Sequence, residues 1–349
     1  MPDAWTFLWH RGAQPLSSLV KLLTLFAFAL AAGTASLLVG ATPLSIGQIA
    51  GQLAHPNEPG VLNAIVWQLR LPRVCIGATV GASLALCGAI LQGMLRNPLV
   101  DPYLTGVSAA AAAAIAIAVL AGAATSITPF AGFLAGFGAA VLVAALARRG
   151  GGIDPNRLIL AGVSLSTLFA AIVTLAIVRA RSSDYASTVL AWLAGSMAGR
   201  SWHDLAVAAP YVIVGTLLAF ASISPLNALR VGEQRARAVG VDVDRAQWGI
   251  LAAASLLAAS SVVLAGLVGF IGLIVPHVAR RVVGSDARLL LPASAAIGAA
   301  LCMLADAVCR RIVAPAELPI GVLLAFIGVP AFLYLYLRPG APAGRGTAG

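Results

Sequence analysis

The chain has 349 residues, of which 60% are apolar and only 10% charged, and its mean hydropathy is +0.96. These values exclude an ordinary soluble domain and predict a protein that crosses a membrane many times. The net charge of +10 does not indicate nucleic-acid binding, because no basic stretch is interleaved with aromatic residues on a soluble surface.

Continuous apolar runs such as 109–120 favour helices over the short alternating strands of a membrane β-barrel. A helix needs about 20 apolar residues to cross the hydrocarbon layer, so the chain has room for about ten spans. The predicted fold class is therefore an all-α integral membrane protein. The spans are predicted at residues 17–40, 70–93, 103–121, 127–147, 156–179, 203–223, 247–266, 269–282, 289–311 and 319–337.

Two of these predicted spans are unusual. The first follows a polar, basic start and looks like a signal peptide, but it is long and lacks a convincing small-residue cleavage site, so we expect it to remain as an anchor. The eighth is short and contains Pro276, which breaks or kinks a helix. Irregular backbone survives in a bilayer only where protein or a water-filled cavity surrounds it, and this feature is typical of transporters.

The positions of Lys and Arg predict the orientation, because short loops rich in these residues are retained in the cytoplasm. With the amino terminus inside, the cytoplasmic segments carry fifteen of these residues and the outer segments seven. We therefore expect a multi-pass protein of a bacterial inner membrane with both termini in the cytoplasm. The longest polar run, Ala221–Gln247, which we call the polar island, then lies on the cytoplasmic side.

Residues that could carry out catalysis are few. The single lysine, Lys21, excludes the GxxxxGK[ST] loop in which a lysine binds nucleotide phosphates, so the chain does not hydrolyse ATP by that route. The four histidines have no metal-ligand spacing, and the four cysteines contain no CxxC pair. The sequence predicts no catalytic site, no metal site and no bound cofactor.

Asp306 is the single carboxylate well inside a predicted span. A proton relay needs further ionisable partners along the path, so structural pairing with an arginine is the favoured interpretation of Asp306. An ion-coupled secondary transporter remains the alternative of a different class.

Seven motifs occur in one order along most of the chain. They are RLPR at Arg70–Arg73, GASLALCGAILQGMLRNPLVDPYLTGVS at Gly81–Ser108, LAGVSLS at Leu160–Ser166, WLAGSM at Trp192–Met197, LNALRVGEQRARAVGV at Leu226–Val241, GLVGFIGLIVPHVARRVVGSDAR at Gly266–Arg288, and AD with ELPIG at Ala305–Asp306 and Glu317–Gly321. In these motifs the chain resembles the permease subunits of binding-protein-dependent ABC importers for iron chelates, haem and cobalamin.

The resemblance implies a type II ABC importer architecture, with residues 1–349 forming one transmembrane permease domain of ten spans. It also implies a homodimer in membrane lipid with the pathway at its two-fold axis. Two separate ATP-binding subunits inside would carry ATP and Mg²⁺, and a periplasmic substrate-binding protein outside would deliver the cargo.

Within the polar island, residues 224–241 are the expected coupling segment. A turn at Ser224–Pro225 is predicted to precede one helix from about Asn227 to Val239, capped by Asn227 and ended by Gly240. The resemblance implies that this helix docks in a groove of the ATP-binding subunit; the alternative is a solvated connector. The candidate coupling residues are Asn227, Leu229, Arg230, Gly232, Glu233, Arg235 and Gly240.

On the outer side, the resemblance implies that Arg70, Arg73 and Arg310 receive glutamates from the two lobes of the binding protein. A guanidinium suits this role, because it forms bidentate pairs with carboxylates and stays charged. The alternative is that these arginines extend toward lipid headgroups at the interface.

Arg179 and Arg181 end the fifth predicted span on the outer side and precede a segment that, by resemblance, leads into the pathway. They could attract haem propionates or the oxygens of an iron chelate, or simply stop translocation of the span. Tyr185, Trp192 and Met197 are further candidate pathway residues. The WLAGSM motif resembles the haem and siderophore branches of the family more than the cobalamin branch, so the resemblance implies haem first as the expected cargo, a ferric siderophore second and cobalamin third.

Overall fold

The computed structural model describes residues 14–40, 42–123, 127–149, 152–180, 183–313 and 316–337. Its first half contains six helices: α1 Gln14–Leu38, α2 Ile46–Ala54, α3 Val61–Leu95 with a π-helical turn at Ile65–Arg70, α4 Val107–Leu120, α5 Thr128–Ala147 and α6 Pro155–Arg179. A 3₁₀ turn, Pro102–Thr105, precedes α4, and a two-stranded antiparallel hairpin, β1 Arg148–Arg149 and β2 Gly152–Ile153, joins α5 to α6.

The second half contains eight helices: α7 Ser183–Ala194, α8 Trp202–Ala221, α9 Ile223–Leu229, α10 Glu233–Ala238, α11 Val243–Ala265, α12 Ile271–Val283, α13 Ala287–Ile312 and α14 Ile320–Leu337. The described part of the chain is thus almost entirely helical, as the apolar runs predicted.

Each of the ten predicted spans corresponds to a helix. In the described residues, seven helices are long and apolar enough to cross a membrane: α1, α3, α5, α6, α8, α11 and α13. The third, eighth and tenth predicted spans correspond to the shorter helices α4, α12 and α14. The predicted start of the second span was wrong. Helix α3 begins at Val61, nine residues before the predicted start, and runs for 35 residues.

The backbone is irregular at the predicted eighth span, but the break lies between α11 and α12, and Pro276 lies inside α12. Gly266 and Phe270 both have positive φ angles, of 69° and 67°, and α12 itself has only 13 residues. Protein surrounds this break, because the Tyr103 hydroxyl donates to the Val268 carbonyl and accepts from the Val268 N–H, both at 2.6 Å. The polar backbone is therefore satisfied internally, as the bilayer requires.

Helices α3, α11 and α13 form the centre of the bundle, and glycines allow them to approach closely. A Cβ atom at Gly81 would lie 2.1 Å from the Gly298 carbonyl oxygen, and one at Gly88 would lie 1.9 Å from that of Gly272. Both distances exclude any larger side chain, which fits the use of small residues at helix contacts in membranes. These crossings fix α13 and α12 against α3.

The helices α1, α6 and α8 lie at the periphery. Within their apolar windows, 6% of the residues are buried in α1 and 17% in both α6 and α8, against 78% in α3. Their exposed side chains are mostly apolar, so these helices present surfaces suited to lipid or to another transmembrane chain.

Candidate functional site

The coupling segment 224–241 forms two short helices, so the single helix predicted from Asn227 to Val239 was wrong. Helix α9 ends at Leu229 and α10 begins at Glu233. Gly232 between them has a φ of 117°, which a helix cannot contain. The predicted turn at Ser224–Pro225 was also wrong, because both residues lie in the first turn of α9, where proline is tolerated.

The end of the segment agrees with the sequence. Helix α10 ends at Ala238, and Gly240 follows with a φ of 85°, the left-handed conformation that glycine adopts readily after a helix. Arg235 and Arg237 occupy the last turn of α10, where a positive charge is favourable next to the helix dipole.

Asn227 does not cap the segment's own helix, contrary to the prediction. Its side-chain oxygen accepts a 2.9 Å hydrogen bond from the N–H of Ala287, and its amide donates to Asp286 at 2.8 Å. Asn227 therefore caps the first turn of α13, together with Asp286, the N-cap residue. The backbone N–H of Arg288 and then the Asn227 amide lower the pKa of Asp286, which keeps this capping carboxylate ionised.

Helix α9 packs against the rest of the protomer, whereas α10 has exposed side chains. Leu226 and Leu229 are 2% and 1% exposed, so Leu229, a predicted coupling residue, packs inside the protomer. The Arg230 guanidinium donates to the carbonyl of Ser285, next to the Asn227 contact. The side chains of Arg235 and Arg237 in α10 are exposed. A partner would therefore meet α10 more readily than α9.

Gln247 connects α10 to the hairpin, and the sequence did not single it out. Its side-chain oxygen accepts a 2.9 Å hydrogen bond from the N–H of Ile153, and its amide donates to Glu233 at 3.1 Å. The side chain is 2% exposed, and these partners fix which end of the amide points to each. Its partner Ile153 is 94 residues away in the sequence, so no local pattern could identify the pair.

An open groove of about 1000 Å³ lies at this end of the bundle. The connection after α3, the hairpin with the start of α6, and the α10 region all contribute to it. Its lining residues are Arg96, Gly152, Ile153, Asp154, Pro155, Asn156, Val231, Gly232, Glu233, Gln234, Arg235 and Arg237. The lining residues from Val231 to Arg237 lie in the coupling segment that the sequence predicted. Arg96, the hairpin and the start of α6 were not predicted as part of this site.

The three predicted docking arginines lie together at the opposite end of the bundle. Arg70 and Arg310 are 5% and 8% exposed, and both donate to backbone carbonyls at the end of α1. Arg70 bonds the carbonyls of Leu37, Leu38 and Thr42, and Arg310 bonds those of Ser36 and Val39. These two guanidinium groups hold the end of α1 and do not extend toward lipid.

Arg73 lies between two carboxylates. Its Nε and Nη2 atoms donate to Asp306 at 2.8–3.1 Å, and its Nη1 and Nη2 atoms donate to Glu317, each at 2.9 Å. Asp306 also pairs with the Nε of Arg310 at 3.1 Å. The structural pairing expected for Asp306 is thus observed, and we call Arg70, Arg73, Arg310, Asp306 and Glu317 the arginine cluster.

Comparison with known proteins gives the family. The model of the FecCD transport family matches residues 25–338, a range that includes the coupling segment and the whole arginine cluster. The chain belongs to the FecCD transport family.

Relatives of this FecCD chain carry different cargoes. It is 43% identical over 277 residues to the cobalamin import permease BtuC of Halobacterium salinarum, covering 79% of this chain and 74% of that one. It is 36% identical to the Fe(3+) dicitrate permease FecD of Escherichia coli, covering 78% and 85% of the two chains. It is 34% identical to the hemin permease HmuU of Yersinia pestis, covering 78% and 83%.

A solved structure supports the same family assignment. A structure described as an inward-facing metal-chelate type ABC transporter matches with a TM-score of 0.81 and 31% identity, covering 92% of this FecCD chain and all of the other. The chain is accordingly an ABC importer permease with the multi-pass helical architecture of this family.

The candidate pathway residues of this FecCD chain are mostly packed inside the protomer. Tyr185 is 8% exposed, and its hydroxyl donates to the Ala116 carbonyl; Met197 is 1% exposed. Trp192 lies under the guanidinium of Arg200 at 4.5 Å. Arg179 is exposed at the end of α6, and Arg181 lies outside the described residues. Their role in the pathway stays a prediction.

Helix α6 carries hydroxyl groups on its exposed face, which sequence reasoning did not single out. Ser164, Thr167 and Thr174 are exposed, and each hydroxyl donates to the carbonyl four residues earlier. The hydroxyls are thus satisfied within the helix, so the face tolerates an apolar neighbour and still has polar oxygens at its surface.

Among the described residues, no group of three or more His, Cys, Asp or Glu side chains could hold a metal ion. What the FecCD chain does present is an exposed basic helix at one end and a buried basic cluster at the other.

Proposed function

We propose that the chain is the membrane subunit of an ATP-driven importer in which separate ATP-binding subunits dock on residues 224–241. The observation that supports this most strongly is the contrast between α9 and α10. Helix α9 is tied to α13 through Asn227 and Arg230, whereas α10 carries exposed Arg235 and Arg237 beside an open groove. A docked partner could therefore push on α10 and move α9 and α13 with it.

At the arginine cluster we propose docking of a soluble binding protein through acidic side chains. The cluster contains three arginines and two carboxylates, so its net charge is 3 − 2 = +1. Positive charge in a partly dehydrated site attracts carboxylates and aligns them through bidentate bonds.

The working unit is proposed to be a homodimer in the inner membrane, with both termini in the cytoplasm. The weakly buried, hydroxyl-bearing face of α6 is suited to lining a pathway between two copies. The chain's only lysine lies within α1, so the ATP and Mg²⁺ sites are assigned to the partner subunits.

For the cargo we propose a metal chelate, with haem as the first candidate because of the WLAGSM motif and the basic end of α6. The 43% identity to a cobalamin permease makes cobalamin the second candidate, and a ferric siderophore is the third. Each of these cargoes is too large for a simple ion channel and needs a protein that delivers it.

Uptake by right-side-out or reconstituted vesicles that contain ATP tests this function. The purified complex, supplied with ATP on the side of the ATP-binding subunits, should take up one of the three chelates and should continue when an uncoupler collapses ion gradients. Uptake that stops with the uncoupler and ignores ATP would support an ion-coupled carrier instead. Binding-protein stimulation of ATP hydrolysis, measured with haem, ferrichrome and cobalamin in turn, identifies the cargo.

A further inference from the structure

Glu317 pairs with one of the two edges of the Arg73 guanidinium that can bind a carboxylate. Its two carboxylate oxygens accept hydrogen bonds from Nη1 and Nη2 of Arg73, each at 2.9 Å. The opposite edge of the same guanidinium, formed by Nε and Nη2, is filled by Asp306. Both edges of Arg73 that can bind a carboxylate with two hydrogen bonds are therefore occupied within the protomer.

The two carboxylates differ in how accessible they are. The side chain of Glu317 is 38% exposed, whereas that of Asp306 is 4% exposed and is shared with Arg310 at 3.1 Å. Removing Asp306 from the cluster would leave the buried Arg310 without its counter-ion and Arg73 with Glu317 alone, which is costly. Moving Glu317 into water exposes one carboxylate that is already partly hydrated.

The other two arginines offer no alternative edge. Arg70 and Arg310 are buried and direct their N–H groups at backbone carbonyls of the α1 end. A carboxylate arriving from outside would therefore meet Arg73 first, and it could form a bidentate pair only by replacing Glu317.

We propose that Glu317 is an internal substitute for the binding protein's carboxylate, which holds Arg73 in the undocked protomer and is displaced on docking. This inference rests on the proposed docking function. The exchange replaces one carboxylate with another, so the charge around Arg73 is preserved at every stage. The cost of releasing Glu317 makes the net free energy of docking less favourable, which keeps the association reversible.

Displacement of Glu317 also acts on the connection before α14. The adjacent Leu318 N–H donates to the Cys309 carbonyl of α13 at 3.2 Å, and the Ile320 N–H donates to the Gly195 carbonyl at 3.0 Å. Glu317 thus lies at the end of a short segment that joins α13, α14 and the loop after α7. Docking would therefore change the position of this junction before that of more distant elements.

The test is the affinity of the permease complex, in lipid nanodiscs, for the soluble binding protein that stimulates its ATP hydrolysis. Glu317→Gln keeps the size of the side chain and removes its charge, so the competing ion pair is lost. Since an exposed ion pair is weak, the expected gain in affinity is about threefold to fivefold. Glu317→Ala, which removes the hydrogen bonds as well, should tighten binding by at least as much.

Two control variants separate this effect from others. Glu58→Gln removes an exposed carboxylate from the α2–α3 connection, away from the arginine cluster, and should leave affinity unchanged if the gain is local. Arg73→Glu tests the docking function itself and should abolish binding.

The outcomes are distinct. Weaker or unchanged binding in both Glu317 variants, with Arg73→Glu still abolishing binding, would overturn the displacement and leave docking intact. An equal gain in affinity in Glu58→Gln would overturn the displacement, because it would show a general repulsion between the permease's carboxylates and an acidic binding protein. Unchanged binding in Arg73→Glu would overturn docking at this cluster altogether.

Discussion

At the scale of single residues, Asp306 is the centre of the arginine cluster. It is 3% exposed and pairs with both Arg73 and Arg310. The free energy of such a group depends on complete pairing, because each charge that loses its partner stays buried. The chain's one carboxylate deep within a predicted span therefore has a structural role in keeping the ends of α1, α3 and α13 together.

We expect Asp306→Asn to lower the free energy of unfolding by about 3–5 kcal/mol, because it leaves the buried Arg310 without a charged partner and Arg73 with Glu317 alone. The thermal unfolding of the purified protein in detergent measures this. Asp244→Asn is the matched control, since Asp244 faces Arg237 at 3.7 Å in an exposed pair and should change stability by less than about 1 kcal/mol. Equal effects of the two variants would contradict the account.

Asn227 shows what single residues in the sequence can and cannot reveal. An asparagine before a helix-forming run is a sound cap signal, and Asn227 is indeed a capping residue. The helix that it caps is α13, whose first residues lie about 60 positions along the chain. The residue type predicts the capping chemistry, but only the tertiary structure decides which helix end receives it.

At the scale of elements, the coupling segment, the β hairpin and α11 meet at Gln247. The side-chain amide joins Glu233 of α10 to Ile153 of β2, two residues before α6 begins. We therefore expect a movement of α10 to be passed through this one buried side chain to β2 and to α6, which follows it.

We expect Gln247→Leu to reduce the uptake of cargo per ATP hydrolysed about 30-fold, because it removes two hydrogen bonds worth about 1 kcal/mol each. ATP hydrolysis by the assembled complex should persist, since the exposed surface of α10 is unchanged. The ratio of uptake to hydrolysis in proteoliposomes measures the effect.

A double variant separates this linkage from mere packing. Gln247→Glu alone places two carboxylates in contact and should impair uptake. Combined with Glu233→Gln, it exchanges the amide and the carboxylate. The new carboxylate at position 247 then accepts from the Ile153 N–H and from the new amide at position 233, so both hydrogen bonds are present again. Uptake should recover in the double variant, and a failure to recover would show that the linkage has no part in coupling.

The break at Gly232 was missed for a related reason. The run from Asn227 to Val239 contains good helix formers, and one glycine is tolerated in a helical pattern at a cost of about 1 kcal/mol. In the structure α9 is held by buried Leu226 and Leu229 while α10 turns toward the groove. This change of direction needs the positive φ of Gly232, and tertiary packing rather than propensity decides it.

At the scale of the whole molecule, hydropathy predicted the helical bundle well because the bilayer requires continuous apolar helices. Sequence order also placed the polar island and the arginines at opposite ends. The side-chain contacts within the arginine cluster could not be predicted from the sequence, because Arg73 and Glu317 are 244 residues apart and Arg310 and Ser36 are 274 apart. Only the family resemblance could group the three arginines before the structure did.

The predicted orientation can be tested with two introduced cysteines. In intact cells, a membrane-impermeant maleimide should label Asn57→Cys, an exposed residue between α2 and α3, and should not label Gln234→Cys in α10 until the membrane is opened. Cys87, Cys302 and Cys309 are buried and Cys75 is partly exposed, so labelling of the unchanged protein is measured as the background. The reverse labelling pattern would contradict the positive-inside assignment.

The central claim is that a separate ATP-binding subunit energises this permease through α10, and its direct test is co-purification of that subunit. The double variant Arg235→Glu, Arg237→Glu reverses the exposed charges of α10, and Arg245→Glu, whose side chain is 90% exposed nearby, is the matched control. Loss of the ATP-binding subunit from the double variant alone is the predicted result. Full retention of the subunit by a folded double variant would contradict the account.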